Sequence, residues 1–158
     1  PKIAAIFFDY LQAFPIDPEV KSAVHDQQRR LQVRNDIYRL RQCSAKFDCP
    51  VVVAVQAKQE MHNMKENWML PGLYDGEESA SIAQRADRII TLWMPKMTSA
   101  VGTRIDYKGY SFTVEENLIF VKIAKQRGRL PSGKIWQCRI DFKSNTIAPE
   151  AKGFEFSR

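Results

Sequence analysis

The chain opens on an unbroken apolar run, Lys2-Ile-Ala-Ala-Ile-Phe-Phe, that stops at Asp9 and continues Tyr10-Leu11-Gln12. An uninterrupted run of this kind predicts a strand buried on both faces of a parallel sheet, because alternation appears only where one face meets water. Pro15 and Pro18 then interrupt any regular element, and Glu19 to Asp48 has helix-forming composition. Val33, Ile37, Leu40, Ser44 and Phe47 recur at steps of four and three, one stripe of a helix facing a core. Pro50 disfavours helical geometry in the residue before it, so Asp48-Cys49-Pro50 ends that helix. Val51 to Val55 reads as a second buried strand ending at Gln56. Strand, crossover helix and strand make the parallel α/β unit.

The second half has a different texture. Ala57 to Gly76 is mixed and predicts a long mobile loop with a helical turn, poorly anchored by apolar residues; loops of that length are usually functional. Glu77 to Ala86 starts a helix, with Ser79 or Ser81 available to cap it and Glu77-Glu78 suited to its positive end. Arg88 to Trp93 is a third strand, and residues 95–117 form an excursion with a small hairpin about Lys108-Gly109. Leu118 to Ala124 is the fourth main strand and Lys134 to Phe142 the fifth, where Trp136, Cys138, Ile140 and Phe142 alternate with polar residues as for a strand covered on one face. No internal repeat or low-complexity tract interrupts this order.

Length and composition bound the rest. A chain of 158 residues that is 44% hydrophobic suits one domain, residues 1–158, burying roughly two-thirds of its unfolded surface. Opening at Pro1 and entering a core strand within two residues suggests a piece of something longer. A net charge of +6 suits a polyanionic partner without distinguishing nucleic acid from nucleotide. Arg30, Arg34 and Arg41 line one side of the helix beside its apolar stripe, a strip that reads first as a solvated face. Cys43, Cys49 and Cys138 lack metal or disulfide spacing and read as reduced core thiols, and His25 and His62 as surface residues. No apolar run approaches about 18 residues and no leader is evident, so a cytoplasmic protein without a membrane partner is expected.

Two stretches invite chemistry. Asp9 at the C-terminal end of a parallel strand lies where open α/β sheets place ligands, and a carboxylate there commonly holds Mg²⁺ on a nucleotide phosphate, the Walker B geometry. Its plainer role is to cap the loop behind a core strand. Gly128 to Lys134 has the outline of a GxxxxGK phosphate loop, but Ile135 stands where Ser or Thr must reach Mg²⁺ and the pattern after it alternates like a strand. It is not read as a phosphate loop.

Taken together, these pieces resemble the C-terminal motor domain of the DnaB-type replicative DNA helicases, a hexameric branch of the RecA-like ATPases. The resemblance runs from about Ile3 to Phe142. Phe8-Asp9-Tyr10-Leu11-Gln12 looks like that family's Walker B signature, and Pro50 to Gln56 like its next strand, which ends in a sensing Gln. Pro71, Leu73, Asp75, Glu78-Ser79, Ser81-Ile82, Gln84 and Ala86-Asp87 follow its fourth motif, and Lys125-Gln126-Arg127 its basic finger. The implied fold is a partial RecA-like three-layer α/β fold, mostly parallel with antiparallel strands at the C-terminal end. Implied cofactors are ATP and Mg²⁺. Asp9 would hold the metal through water, Gln56 would sense the γ-phosphate, and Lys125 and Arg127 would reach the nucleotide of the neighbouring subunit. The implied partners are single-stranded DNA, met by Lys58, Lys65, Glu78 and the Ala80 backbone, and further copies of the chain in a hexamer.

Departures accompany the match. The family typically carries Arg-Glu-Ser-Gly where this chain has Glu77-Glu78-Ser79-Ala80, and an Arg where it has Gln59. The finger loop is one residue longer. The phosphate loop and catalytic Glu of the family precede its Walker B strand, so the resemblance covers the second half of a motor. With the phosphate-loop strand implied to lie between the strands ending at Gln56 and Trp93, the chain alone is not expected to form the full sheet or to hydrolyse ATP. The gap would be met by rearranged pairing, by a partner chain or by closure of the flanking strands. The leading expectation is part of an ATP-driven 5′-to-3′ hexameric replicative helicase. The alternatives are a non-catalytic RecA-like assembly or DNA-binding module from a phage, plasmid or mobile element, and a RecA-like recombination or clock-type ATPase.

Overall fold

The structure is a computed structural model that describes residues 2–15, 25–57, 68–75, 79–128, 133–150 and 153–156. These fall into two compact units, one of residues 1–58 and 76–86, the other of residues 59–75 and 87–158.

In the first unit, β1 (Ile6–Phe8) pairs in parallel with β2 (Val51–Val53), in the register Ile6 to Val51 and Phe8 to Val53. The crossover between them is α1 (His25–Phe47), and a short α2 (Ser79–Arg85) completes the unit. Leu11, Val33 and Leu40 are its buried centre, with Phe8, Ile37, Val51 and Ile82 packed around them. Fully burying one such leucine contributes about 1.5–3 kcal/mol. Of the predicted stripe, Val33 and Leu40 are buried and Ile37 and Ser44 half-buried, whereas Phe47 is exposed. Arg34 and Arg41 are exposed, as a solvated face requires. The helix ends where Asp48 takes a left-handed conformation (φ 47°) and the Cys49 N–H donates to the Ser44 carbonyl at 3.3 Å, satisfying an end group that the helix cannot, while Ser44 Oγ donates to the Cys49 carbonyl at 2.8 Å.

The expectation of strands buried on both faces is corrected here. Phe7 is 74% and Val52 49% exposed, and because they pair across the ladder they share one open face. Each of the two strands has a single neighbour among the described residues.

The second unit is antiparallel. β3 (Arg88–Trp93), β6 (Leu118–Gln126), β7 (Ile135–Asp141) and β8 (Thr146–Pro149) form a four-stranded sheet in that spatial order, and β4 (Arg104–Tyr107) and β5 (Tyr110–Thr113) form a separate hairpin. The α/β class expected from the sequence therefore stands, while the expected mostly parallel sheet is corrected: the sheets are small and mostly antiparallel, since only β1 and β2 run parallel. The strands ending near Gln56 and at Trp93 belong to separate sheets, so the described residues do not form one continuous sheet.

The hairpin turns on Lys108 (φ 47°) and Gly109 (φ 81°). Two consecutive positive φ angles define the turn whose twist matches antiparallel strands, and glycine adopts the second without a Cβ penalty. Trp93 pairs with Phe120 and Phe120 with Gln137, which puts them on one face of the sheet. Trp68 lies at the centre of the aromatic core: its ring centroid is 5.0 Å from Phe120, 5.2 Å from Trp93, 5.1 Å from Phe156 and 5.3 Å from Tyr107, on which it stacks. The expected loop of Ala57 to Gly76 is thus firmly anchored at its C-terminal end, where Trp68, Leu70 and Pro71 are buried; residues 58–67 lie outside the described residues. On β7 the covered set also differs from expectation. Ile135 joins the aromatic core and Cys138 is buried, but Trp136 and Ile140 are half-buried and Phe142 is exposed.

The cysteines are free thiols, with Cys49 and Cys138 buried. No helix among the described residues is long and apolar enough to cross a membrane.

Candidate functional site

A parallel ladder brings the C-terminal ends of its strands to one edge, and Asp9 and Gln56 both follow their strands at that edge. Phe8 faces Val53, and the chain then leaves both strands on the same side. Three hydrogen bonds tie the exits together. The Ala54 N–H donates to the Phe8 carbonyl at 2.9 Å, the Leu11 N–H to the Ala54 carbonyl at 2.9 Å, and the Gln56 N–H to Gln12 Oε1 at 3.4 Å. Leu11, 2% exposed, pins the turn into the core, while Asp9 and Gln56 are both exposed at the edge. The Asp9–Tyr10 peptide is cis.

The donor set fits a magnesium nucleotide. Mg²⁺ dehydrates reluctantly and is usually bound by one or two carboxylates with waters and substrate phosphates, so a single exposed carboxylate such as Asp9 is an adequate protein contribution. No group of three or more His, Cys, Asp or Glu residues among the described ones could hold an ion on its own.

In the second unit, β6 carries the basic pair outward. Lys125 is half-buried on the ladder opposite Ile89, and Arg127 is exposed in the bend just past the strand. Arg127 is bound twice to one residue: its N–H donates to the Asp87 carbonyl at 2.8 Å, and its Nη1 to Asp87 Oδ1 at 2.9 Å. In the sequence Asp87 reads only as part of a motif, with no sign of this pairing. After Lys134 the chain enters β7 rather than a helix, in keeping with the rejection of Gly128 to Lys134 as a phosphate loop.

Of the residues expected to meet DNA, Ala80 is exposed in the first turn of α2, while Lys58, Lys65 and Glu78 lie outside the described residues, as do Glu77, Gln59, His62 and the side chains of His25 and Arg30.

A third polar assembly was not anticipated. Arg139 on β7 donates from Nη1 and Nη2 to the two carboxylate oxygens of Glu115 at 2.5 and 3.1 Å and from Nε to Glu150, and Gln137 bridges Glu150 to the Tyr110 hydroxyl. The Arg139 hydrogen bonds hold the Glu115 carboxyl below its ordinary 4.5, and the two carboxylates push Arg139 further up. Burial, aided by Glu150, raises Tyr110 and Cys138. One guanidinium is shared by two carboxylates within the unit, which is the pattern of a structural clamp for β7 and β8.

A parallel β-α-β unit with a carboxylate edge, followed by an antiparallel sheet whose second strand leads into basic residues, is consistent with the RecA-like class of α/β fold. A solved structure described as that of a DnaB-like replicative helicase and its interactions with primase superposes with a TM-score of 0.65 at 20% identity, covering 91% of this chain and 29% of that one. At that identity the likeness is one of fold. Residues 1–148 match the family model of the DnaB-like helicase C-terminal domain, and the chain belongs to that family. It spans 29% of the length of the solved helicase. No curated protein matches it.

Proposed function

We propose that this chain is the part of an ATP-dependent replicative DNA helicase motor that runs from the Walker B strand to the finger, acting in the cytoplasm within a hexameric ring that moves 5′ to 3′ on single-stranded DNA. The observation that supports the reading is the shared C-terminal edge of β1 and β2, beyond which both Asp9 and Gln56 follow, in a chain of this family. Asp9 would hold Mg²⁺, which would supply neutralisation of the negative charge on the nucleotide phosphates. Gln56 meets the γ-phosphate, and the Gln12 contact to its backbone ties that position to the Asp9 turn. Lys125 and Arg127 act on the nucleotide of the adjacent subunit, where charge spreading over the γ-phosphoryl oxygens needs cations and an arginine finger accelerates the step by about 10³–10⁵. Contact with the DNA backbone is assigned to Lys58, Lys65, Glu78 and the Ala80 amide from the resemblance to the family's motifs alone.

Glu77 favours a second reading, a non-catalytic assembly or DNA-binding module, because an acid in place of an arginine turns attraction for phosphate into repulsion. ATP hydrolysis by the complete motor separates the two. With Asp9→Ala it should fall to background, and in rings mixed with wild type an Arg127→Ala subunit should silence its neighbour's nucleotide while binding its own. Hydrolysis indifferent to Asp9→Ala would refute the proposal. Residues 1–158 alone should not hydrolyse ATP, because Asp9 positions Mg²⁺ only on phosphates already cradled elsewhere.

A further inference from the structure

We propose that Asp87 is the positioning residue of the finger: it fixes the guanidinium of Arg127 in the orientation in which that group meets a phosphate across a subunit boundary. The inference rests on reading Arg127 as the finger. Asp87 stands at the bend leading into β3, and the β3–β6 ladder, with Arg88 opposite Gln126, brings it alongside Arg127 although the two are 40 residues apart in sequence. The backbone bond at 2.8 Å sets the path of the chain, so the carboxylate contact at 2.9 Å is not needed for that. What the carboxylate adds is a fixed direction for a long, rotamer-rich side chain.

Fixing that direction matters more for rate than for stability. The pair is solvent-exposed, with side chains 44% and 72% accessible, and exposed ion pairs contribute little to folding. An unpinned arginine must lose its rotamer freedom at the moment of reaction, whereas a pinned one has lost it beforehand. A guanidinium carries five N–H donors in a planar fork, so a carboxylate and a phosphate oxygen can share it. The opposite role is also definable: a carboxylate that competed with the phosphate would hold the finger back, and its removal would speed turnover.

The experiment compares D87N, D87E, R127A and D87N/R127A in the complete, DNA-bound motor, reading kcat and KM for ATP and the thermal midpoint. R127A should lose about 10³–10⁵ in kcat. D87N should lose about 10- to 100-fold in kcat with KM nearly unchanged, as a small misplacement of a catalytic group does, and D87E should recover most of the loss. The double variant should be no slower than R127A, because Asp87 acts only through Arg127. In mixed rings D87N should impair the neighbour's site rather than its own, which a merely structural role would not do. Unchanged or faster turnover in D87N beside an inactive R127A overturns this proposal alone, and so does added slowing in the double variant. Full turnover in R127A overturns the finger assignment and this proposal with it.

Discussion

Trp68→Ala tests the packing of the second unit. The side chain is 9% exposed and meets six rings, those of Trp93, Tyr107, Tyr110, Phe112, Phe120 and Phe156, at centroid distances of 5.0 to 6.3 Å. Truncating a buried Trp to Ala typically costs about 3–5 kcal/mol through lost transfer energy and the cavity left behind. Aromatic pairs add about 0.5–1.5 kcal/mol each beyond area burial, so a loss near the upper end, about 5 kcal/mol, is expected. Trp68→Phe keeps one ring and should lose less than half of that. The three tryptophans, Trp68, Trp93 and Trp136, all lie in the second unit, so urea denaturation followed by their fluorescence reports on it directly. Met97→Ala, at an exposed position of the same unit, should stay within about 0.5 kcal/mol of wild type. A Trp68→Ala loss below about 1 kcal/mol would show that the ring cluster does not hold the unit together.

Further predictions concern the turn, the tail and the acid limit. Gly109→Ala should cost about 1–2 kcal/mol, since a Cβ at φ 81° is strained although nothing lies near it; denaturation unaffected by the change would contradict the turn geometry. Gly153→Ala would place a methyl 2.7 Å from Trp136 Nε1 and Lys134 Cε, so it should loosen the chain end and speed its proteolysis, and a cleavage rate equal to wild type would refute the packing. Glu115 sits below its ordinary 4.5 because Arg139 donates to it. A lowered carboxylate adds stability that is present in full above 4.5 and is lost as pH falls through its folded value. Arg139→Ala should therefore flatten the fall in stability below that pH, and an acid limb of unchanged slope would argue against the clamp.

What could be read from the sequence was what is local. Arg88 to Trp93 is a strand at its predicted bounds, and the hairpin turns at Lys108-Gly109, because alternation and turn chemistry act over a few residues. An apolar run closed by a carboxylate, a helix, and a second run closed by Gln56 sufficed to place both polar residues at one edge, since a parallel crossover leaves no other arrangement. Burial on both faces was not legible, because it depends on what lies against the strands; hence the exposed Phe7 and Val52. Trp68 reads as a loop residue until β3, β6 and the hairpin are brought around it. Asp87 and Arg127 likewise meet through the register of a ladder, which no short window contains.

The chain past the family match has its own lesson. Residues 1–148 are what the family model covers, yet Phe154 bridges to Ile135 through two backbone bonds of 2.8 Å and stacks on Tyr110, while Phe156 packs on Trp68. A boundary drawn from family likeness would strip two rings that pack against the core of the second unit and the backbone bridge to Ile135. For anyone trimming or tagging this protein, the end of the recognisable sequence is not the end of the folded body: an affinity tag joined at residue 149 would replace part of the core rather than extend from it.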